Sequence, residues 1–145
     1  MSGFLLDTNV ISELVKPNPA RKVTSWLEGI DEGLLYLSVL TIGEIRKGIT
    51  ALAQTGRRVA IEAWLEKDLS DRFVGRILPV TKEIANRWGV MAGQAHLKKI
   101  LVPVIDGLMA ATAQHYNLTL VTRNIKDIVH TRVDLFNPWD RENTT

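Results

Sequence analysis

Three acidic residues, Asp7, Glu44 and Asp106, stand where one pattern of apolar residues gives way to another. Asp7 directly follows a short apolar run, and Asp106 interrupts the apolar stretch from Ile100 to Ile105. Carboxylates that a fold brings within a few ångströms repel one another, so such a group needs a proton or a compensating cation. Oxygen ligands without cysteine or paired histidine favour Mg²⁺ or Mn²⁺. These ions suit phosphodiester hydrolysis because they activate water and stabilise charge on the leaving oxygen.

Each acid also has a purely structural interpretation. An Asp at a strand-to-helix turn often caps the helix, and for Asp7 alone capping is the more common role. Thr41 and Glu44 fit a capping box, in which the two side chains satisfy each other's backbone donors. Asp106 would gain only about 0.3–1 kcal/mol from the dipole of a helix that it begins. Its apolar neighbours predict a largely buried carboxylate, which is costly unless it is paired or binds metal.

Other polar residues flank these acids and have similarly divided interpretations. Thr8 and Asn9 follow Asp7 and offer contacts to it or to a metal-bound water, whereas Ser38 is either a turn former or a support for the site. Asn124 and Asp127 follow a β-branched run and serve either as turn residues or as hydrogen-bond partners of a metal-bound water. Two arginines, Arg46 and Arg123, flank the acids in sequence and are candidates for contact with an RNA phosphate.

Alternating strands and helices must position these side chains. The apolar patterns predict strands at Gly3–Leu6, Leu34–Leu37, Arg76–Val80, Thr119–Thr122 and Val133–Phe136. Helices are predicted over residues 8–15, 19–30, 41–52 and 57–73, from a cap at Thr81, and from Pro103 to about Tyr116. Such alternation indicates an α/β fold with a mostly parallel sheet of four to five strands and helices on both faces. Chemistry in such sheets lies beyond the carboxyl ends of the strands.

Length and composition indicate one globular domain. The chain has 145 residues, of which 46% are hydrophobic and 23% charged. We assign residues 1–140 to the domain and residues 141–145 to a polar tail. The absence of cysteine excludes disulfides, thiolate catalysis and cysteine-based zinc sites, and it fits a cytoplasmic location. No run approaches the roughly 20 apolar residues of a membrane helix, and no secretory signal is recognisable. A net charge of +2 leans only weakly toward polyanionic partners.

Four motifs in order resemble the PIN-domain proteins, and most closely the VapC-type toxins with their FitB-like branch. The motifs are LLDTNVISEL, TIGEIRKG, IDGLMAATAQHYNLTLVTRN and FNPW. The similarity extends from about Gly3 to Trp139, and its specificity comes from the order and spacing of the motifs.

The resemblance implies a PIN fold and Mg²⁺- or Mn²⁺-dependent cleavage of RNA. It also implies a toxin that an antitoxin protein restrains, commonly within a homodimer, with DNA contacted only through the antitoxin. By position, Asp7, Glu44 and Asp106 match the three characteristic acids of the family, with Asp7 and Asp106 as the metal ligands. A fourth position is often Asp but is Asn124 here, so either Asn124 orients a water or Asp127 substitutes.

Two alternative functions remain open at the level of sequence. A metal-dependent phosphatase would fit an Asp after the first strand, but the haloacid-dehalogenase pattern requires a second Asp where this chain has Asn9. A non-catalytic PIN-like binding subunit of a DNA-bound repressor complex would fit the loss of the fourth acid. The three histidines show no metal-ligand spacing, and the helical tryptophans are predicted to pack in the core. These residues are His96, His115, His130, Trp26, Trp64 and Trp88.

Overall fold

The computed structural model describes residues 3–140, which form an α/β fold around one five-stranded sheet. The strands are β1 (Gly3–Leu6), β2 (Leu35–Ser38), β3 (Ile77–Leu78), β4 (Leu118–Val121) and β5 (Leu135–Phe136). Their order is β3-β2-β1-β4-β5, and all four pairings are parallel. The predicted parallel sheet is therefore confirmed. The assigned tail, residues 141–145, lies outside the described residues.

Helices connect the strands. They are α1 (Thr8–Leu14), α2 (Arg21–Glu28), α3 (Val39–Thr50), α4 (Gly56–Ala63), α5 (Ser70–Arg72), α6 (Lys82–Leu97), α7 (Val104–His115) and α8 (Ile125–Ile128). A π-helical segment, Trp64–Leu69, joins α4 to α5, so the helix predicted over residues 57–73 contains a widened stretch. No helix in this described part of the chain is long and apolar enough to cross a membrane.

The two faces of β1 lie in two separate cores, as the alternation of side chains along a strand requires. Leu6 packs with residues of α1, α2 and α3, including Val10 and Ile45. Leu5 packs with α7 residues, including Met109 and Ala110. The sheet is therefore covered by helices on both faces, as predicted.

The start of α3 differs from the sequence prediction. The helix begins at Val39, and the Ser38 hydroxyl caps it by accepting a hydrogen bond from the Leu40 amide at 3.0 Å. Thr41 lies inside the helix, so the proposed capping box with Glu44 is wrong. Ser38 has the role of the turn former. The side chains of Thr41 and Glu44 are consequently available for contacts with other elements.

The apolar stretch before α7 is more exposed than its composition suggested. Leu101 is 90% exposed and Val104 57% exposed, while Asp106 is half-buried. The expectation of a largely buried Asp106 is therefore wrong. Residues 100–103 belong to the loop between α6 and α7, Val104 and Ile105 begin α7, and the core-facing part of α7 begins only at Gly107.

Candidate functional site

Asp7 lies directly beyond β1 and combines two roles. Its Oδ1 accepts a hydrogen bond from the Thr8 amide at 2.7 Å, which caps α1. Its Oδ2 accepts one from the Thr122 hydroxyl at 2.8 Å. Burial raises the pKa of the Asp7 carboxyl, the hydrogen bonds from Thr122 and Thr8 oppose this, and the charge of Glu44 raises it further. Helix capping thus accounts for the contact with the Thr8 amide but not for the contact with Thr122.

Glu44 reaches the same region from α3. The Thr8 hydroxyl donates a hydrogen bond to Glu44 Oε1 at 2.5 Å and lies 3.2 Å from the Thr41 hydroxyl. The start of α1 therefore holds an acid from α3 beside Asp7. Thr41 and Glu44 lie one turn apart inside α3, and both contact the Thr8 hydroxyl.

Asp106 enters from the first turn of α7. Asn124 Nδ2 donates a hydrogen bond to its Oδ2 at 3.2 Å. Burial raises the pKa of Asp106 to about 6, and the negative charges of Asp7, Asp127 and Glu44 contribute in that order. Side chains from four separate segments thus share one electrostatic field at the carboxyl edge of the sheet.

Thr122 connects the two halves of this edge, and sequence reasoning treated it only as the end of a strand. The side chain is fully buried at the end of β4. Besides donating to Asp7, its hydroxyl accepts hydrogen bonds from Asn9 Nδ2 at 3.2 Å and from the Asn124 amide at 2.9 Å. A single hydroxyl therefore fixes Asp7 relative to the turn that carries Asn124. The only sequence signal was a hydrogen-bonding residue where a predicted strand ends.

The remaining predicted polar residues separate into those that contact the acids and those that do not. Asn9 Nδ2 lies 3.5 Å from Asp7 Oδ2, and Asn9 Oδ1 accepts a hydrogen bond from the Arg123 amide at 3.3 Å. The side chain of Asn124 precedes α8 but does not cap it, and its Nδ2 donates to Asp106 instead. Asp127 is exposed and acts on Asp106 through its charge.

The two arginines considered for phosphate contact already have partners. Arg46 forms ion pairs with Glu62 at 3.3 Å and with Glu66 at 2.8 Å. The Arg123 guanidinium lies over the Trp139 ring, 5.0 Å from its centroid. Arg46 is therefore ion-paired, whereas Arg123 packs on Trp139 and has no ion-pair partner within residues 3–140.

The donor set fits a hard divalent cation that keeps much of its water. Between residues 3 and 140, no three His, Asp or Glu side chains are gathered closely enough to form a ready cage for one ion. Mg²⁺, however, commonly binds through one or two carboxylates and retains several waters. The raised pKa values of Asp7 and Asp106 reflect burial and mutual repulsion, which a bound cation would offset. Oxygen donors of this kind favour Mg²⁺ or Mn²⁺ over softer metals.

The chain matches the PIN domain over residues 4–133, in agreement with its parallel α/β fold. The chain belongs to the PIN-domain family.

Its relatives include named toxins. It is 35% identical to Toxin FitB of Neisseria gonorrhoeae over 94% of this chain and 98% of that protein. It is 33% identical to VapC ribonuclease Y4jK of Sinorhizobium fredii, again over 94% of this chain and 98% of the relative. The solved structure of FitAB bound to an IR36 DNA fragment superposes with a TM-score of 0.90 at 32% identity, covering 98% of this chain and 99% of that one.

Proposed function

We propose that this protein is a Mg²⁺- or Mn²⁺-dependent endoribonuclease and the toxin of a type II toxin–antitoxin pair. The observation that carries the proposal is the convergence of Asp7, Glu44 and Asp106 in one field, linked through Thr8 and by the hydrogen bonds of Thr122 and Asn124. Similarity to a VapC ribonuclease along nearly the whole chain supports RNA as the substrate.

Each residue has a definite task in this proposal. Asp7 and Asp106 would hold the cation, which when bound supplies positive charge to the phosphate and favours ionisation of the attacking water. Thr122 fixes the Asp7 carboxylate, and Asn124 orients Asp106. Glu44 is held by Thr8 and would orient the attacking water. The expected products carry 5′-phosphate and 3′-hydroxyl ends.

Replacement of one acid tests the proposal. Asp7→Asn keeps the size and capping ability of the side chain but removes its charge, so RNA cleavage should be lost while the thermal unfolding transition remains cooperative. Asp68→Asn is the matched control, because Asp68 is exposed and forms no ion pair within residues 3–140. Cleavage of labelled total RNA with and without chelator is the measurement. An Asp7→Asn protein, free of contaminating nuclease, that cuts at the parental rate would refute the assignment.

We also propose an antitoxin partner and a homodimeric state. The similarity to the FitAB structure supports the partner, and that structure's bound DNA supports contact with DNA through the antitoxin. An apolar cleft of about 170 Å³ beside Glu44, with Val15, Ile49, Leu52 and Trp64 in its wall, offers a place where an antitoxin helix would cover the site. We place the activity in the cytoplasm, where RNA and antitoxin are made. Purified antitoxin should suppress cleavage at equimolar concentration.

A non-catalytic binding subunit is the second candidate. Two points favour it: Asn124 stands where the family resemblance leads us to expect an acid, and no ready three-ligand cage exists among the described residues. Calorimetric titration discriminates, because a protein that binds no Mn²⁺ fits this candidate and excludes the nuclease. The phosphatase alternative gains no support, since Asn9 points an amide donor at Asp7 where a second carboxylate would be needed.

A further inference from the structure

A basic groove runs along the outer side of α6, apart from the acids. It encloses about 1070 Å³ between α6, the C-terminal end of α7 and the segment 129–132. Its cationic side chains come from Arg87, Lys98 and Arg132, and Glu83 is its single acid. His115 and His130 lie on the opposite wall from α6. The groove is therefore cationic although the chain as a whole carries a net charge of only +2.

The three cations of this groove are free to bind an external anion. In the part of the chain that the structure describes, Arg87, Lys98 and Arg132 form no ion pair or side-chain hydrogen bond, and all three are exposed. Arg46 and Arg123, nearer to the acids in sequence, are held by Glu62, Glu66 and Trp139. Three unpaired cations therefore line one groove, whereas Arg46 and Arg123 already contact other side chains.

The groove has the position and the length of a path for a nucleic-acid strand. Ile100 and Val102 line one part of it, in the loop that leads into α7 and to Asp106. Its α6 wall extends from Glu83 to Leu97, which is about 20 Å at the rise of an α-helix. Val102 Cγ1 lies 3.4 Å from the position that a β-carbon on Gly107 would take, so this end of the groove adjoins the residue that follows Asp106. A strand bound at the acids would thus be able to continue from there into the groove.

We propose that this groove binds the backbone of single-stranded RNA that extends from the cleavage site. The inference rests on the proposed function and deepens it, because it assigns the surface that supplies affinity. A catalytic edge with several carboxylates repels a polyanion, so affinity must come from cations elsewhere. Phosphate contacts position a nucleic acid without reading its sequence, and the apolar residues Val90 and Leu97 offer surface to riboses and bases.

Charge reversal with a matched control tests this proposal. The groove variant combines Arg87→Glu, Lys98→Glu and Arg132→Glu. The control variant combines Lys47→Glu, Arg57→Glu and Lys67→Glu, which are exposed, unpaired in residues 3–140 and outside the groove. Both triple variants change the net charge equally, so a general loss of attraction would affect them alike.

Binding of a labelled, mixed-sequence single-stranded RNA is measured in chelator, where no metal-dependent cleavage occurs. The groove variant should bind at least about tenfold more weakly than the parent, and the slope of log K against log salt should fall by about 2, as loss of three phosphate contacts predicts. The control variant should retain parental affinity and slope. Mn²⁺ binding, measured by calorimetry, should be the same in all three proteins.

Several outcomes would overturn the proposal. The first is parental RNA affinity in the groove variant, and the second is an equal loss of affinity in the control variant. The third is a loss of affinity that accompanies a changed oligomeric state in size-exclusion chromatography. That result would assign the groove to contact with a second copy of the chain. Failure of the proposed function is distinguishable, because it would appear as absence of RNA cleavage by the parent protein whatever the groove binds.

Discussion

A methyl group added at Gly107 would collide with Trp88, because α6 and α7 pack closely at this point. The added β-carbon would lie 2.9 Å from Trp88 Cδ1, 3.0 Å from Nε1 and 3.4 Å from Val102 Cγ1. Gly107 directly follows Asp106, so relief of the collision must move the first turn of α7. We therefore predict that Gly107→Ala destabilises the protein and weakens Mn²⁺ binding.

The magnitude follows from two opposing effects. Gly→Ala inside a helix stabilises by about 0.5–1 kcal/mol through reduced backbone entropy of the unfolded chain. Overpacking of a filled contact costs about 1–3 kcal/mol. The net effect of Gly107→Ala should be a loss of roughly 0.5–2 kcal/mol in the free energy of unfolding. In a Trp88→Val background, which lacks δ and ε atoms, the same substitution should instead stabilise by about 0.5–1 kcal/mol.

The change of sign makes the prediction measurable in a double-mutant cycle. Urea unfolding of the parent, both single variants and the double variant gives the coupling energy, expected at about 1–3 kcal/mol. Trp88 suits this cycle because its Nε1 is buried without a hydrogen-bond partner in residues 3–140, so its replacement breaks no hydrogen bond. Calorimetric Mn²⁺ titration of the same proteins tests the displacement of Asp106.

The steric argument would be refuted if Gly107→Ala changed the free energy of unfolding by the same amount in both backgrounds. The positional argument would be refuted separately if Gly107→Ala destabilised the protein but left its Mn²⁺ affinity at the parental value. Restoration of Mn²⁺ binding in the double variant is the expected result, because removal of the indole lets the first turn of α7 return to its parental position.

Two further predictions concern the acids. Thr122→Val keeps the shape of the side chain but removes the hydroxyl that donates to Asp7, so it should cost about 1–3 kcal/mol in urea unfolding and weaken Mn²⁺ binding. Thr119→Val in the same strand is the control, and equal effects from both substitutions would contradict this role. The raised pKa of Asp106, about 6 in the folded protein and about 3.9 in an unfolded chain, means that folding takes up protons between these values. Without metal, the contribution of Asp106 to stability should thus be fully present below the unfolded value and should be lost as pH rises through about 6. Mg²⁺ should raise the melting temperature more on the alkaline side of this pH than on the acid side, and equal shifts on both sides would count against a site at this carboxylate.

The sequence alone was sufficient for the layout of the fold. The strand at Gly3–Leu6 is found with the predicted bounds, and the alternation of apolar runs with helical patterns correctly gave a parallel sheet covered on both faces. These features depend on local periodicity and on the need to bury apolar side chains, and both can be read from the amino-acid sequence. The same pattern put Asp7 at a strand end, where the structure has it.

Local pattern was less reliable where an element begins or meets solvent. Thr41 and Glu44 had the spacing of a capping box, yet the helix begins at Val39, two residues before Thr41, and Ser38 caps it. The apolar stretch before Asp106 was expected to bury this carboxyl, yet the stretch forms a loop and the exposed first residues of α7, and Asp106 is only half-buried. At α3 the deciding contact is the local cap that Ser38 provides, and before Asp106 it is the packing of α7, which turns to the core only from Gly107.

Only the tertiary structure decided which polar groups meet. Asp7 and Thr122 are 115 positions apart, and Thr8 and Glu44 are 36 apart. The pairing of Leu6 with Val121 in neighbouring parallel strands places Asp7 and Thr122 side by side, and a shift of one residue in that register would turn one of them to the other face. Register depends on the packing of both faces of the sheet at once, and so it cannot be obtained from any one segment of the chain.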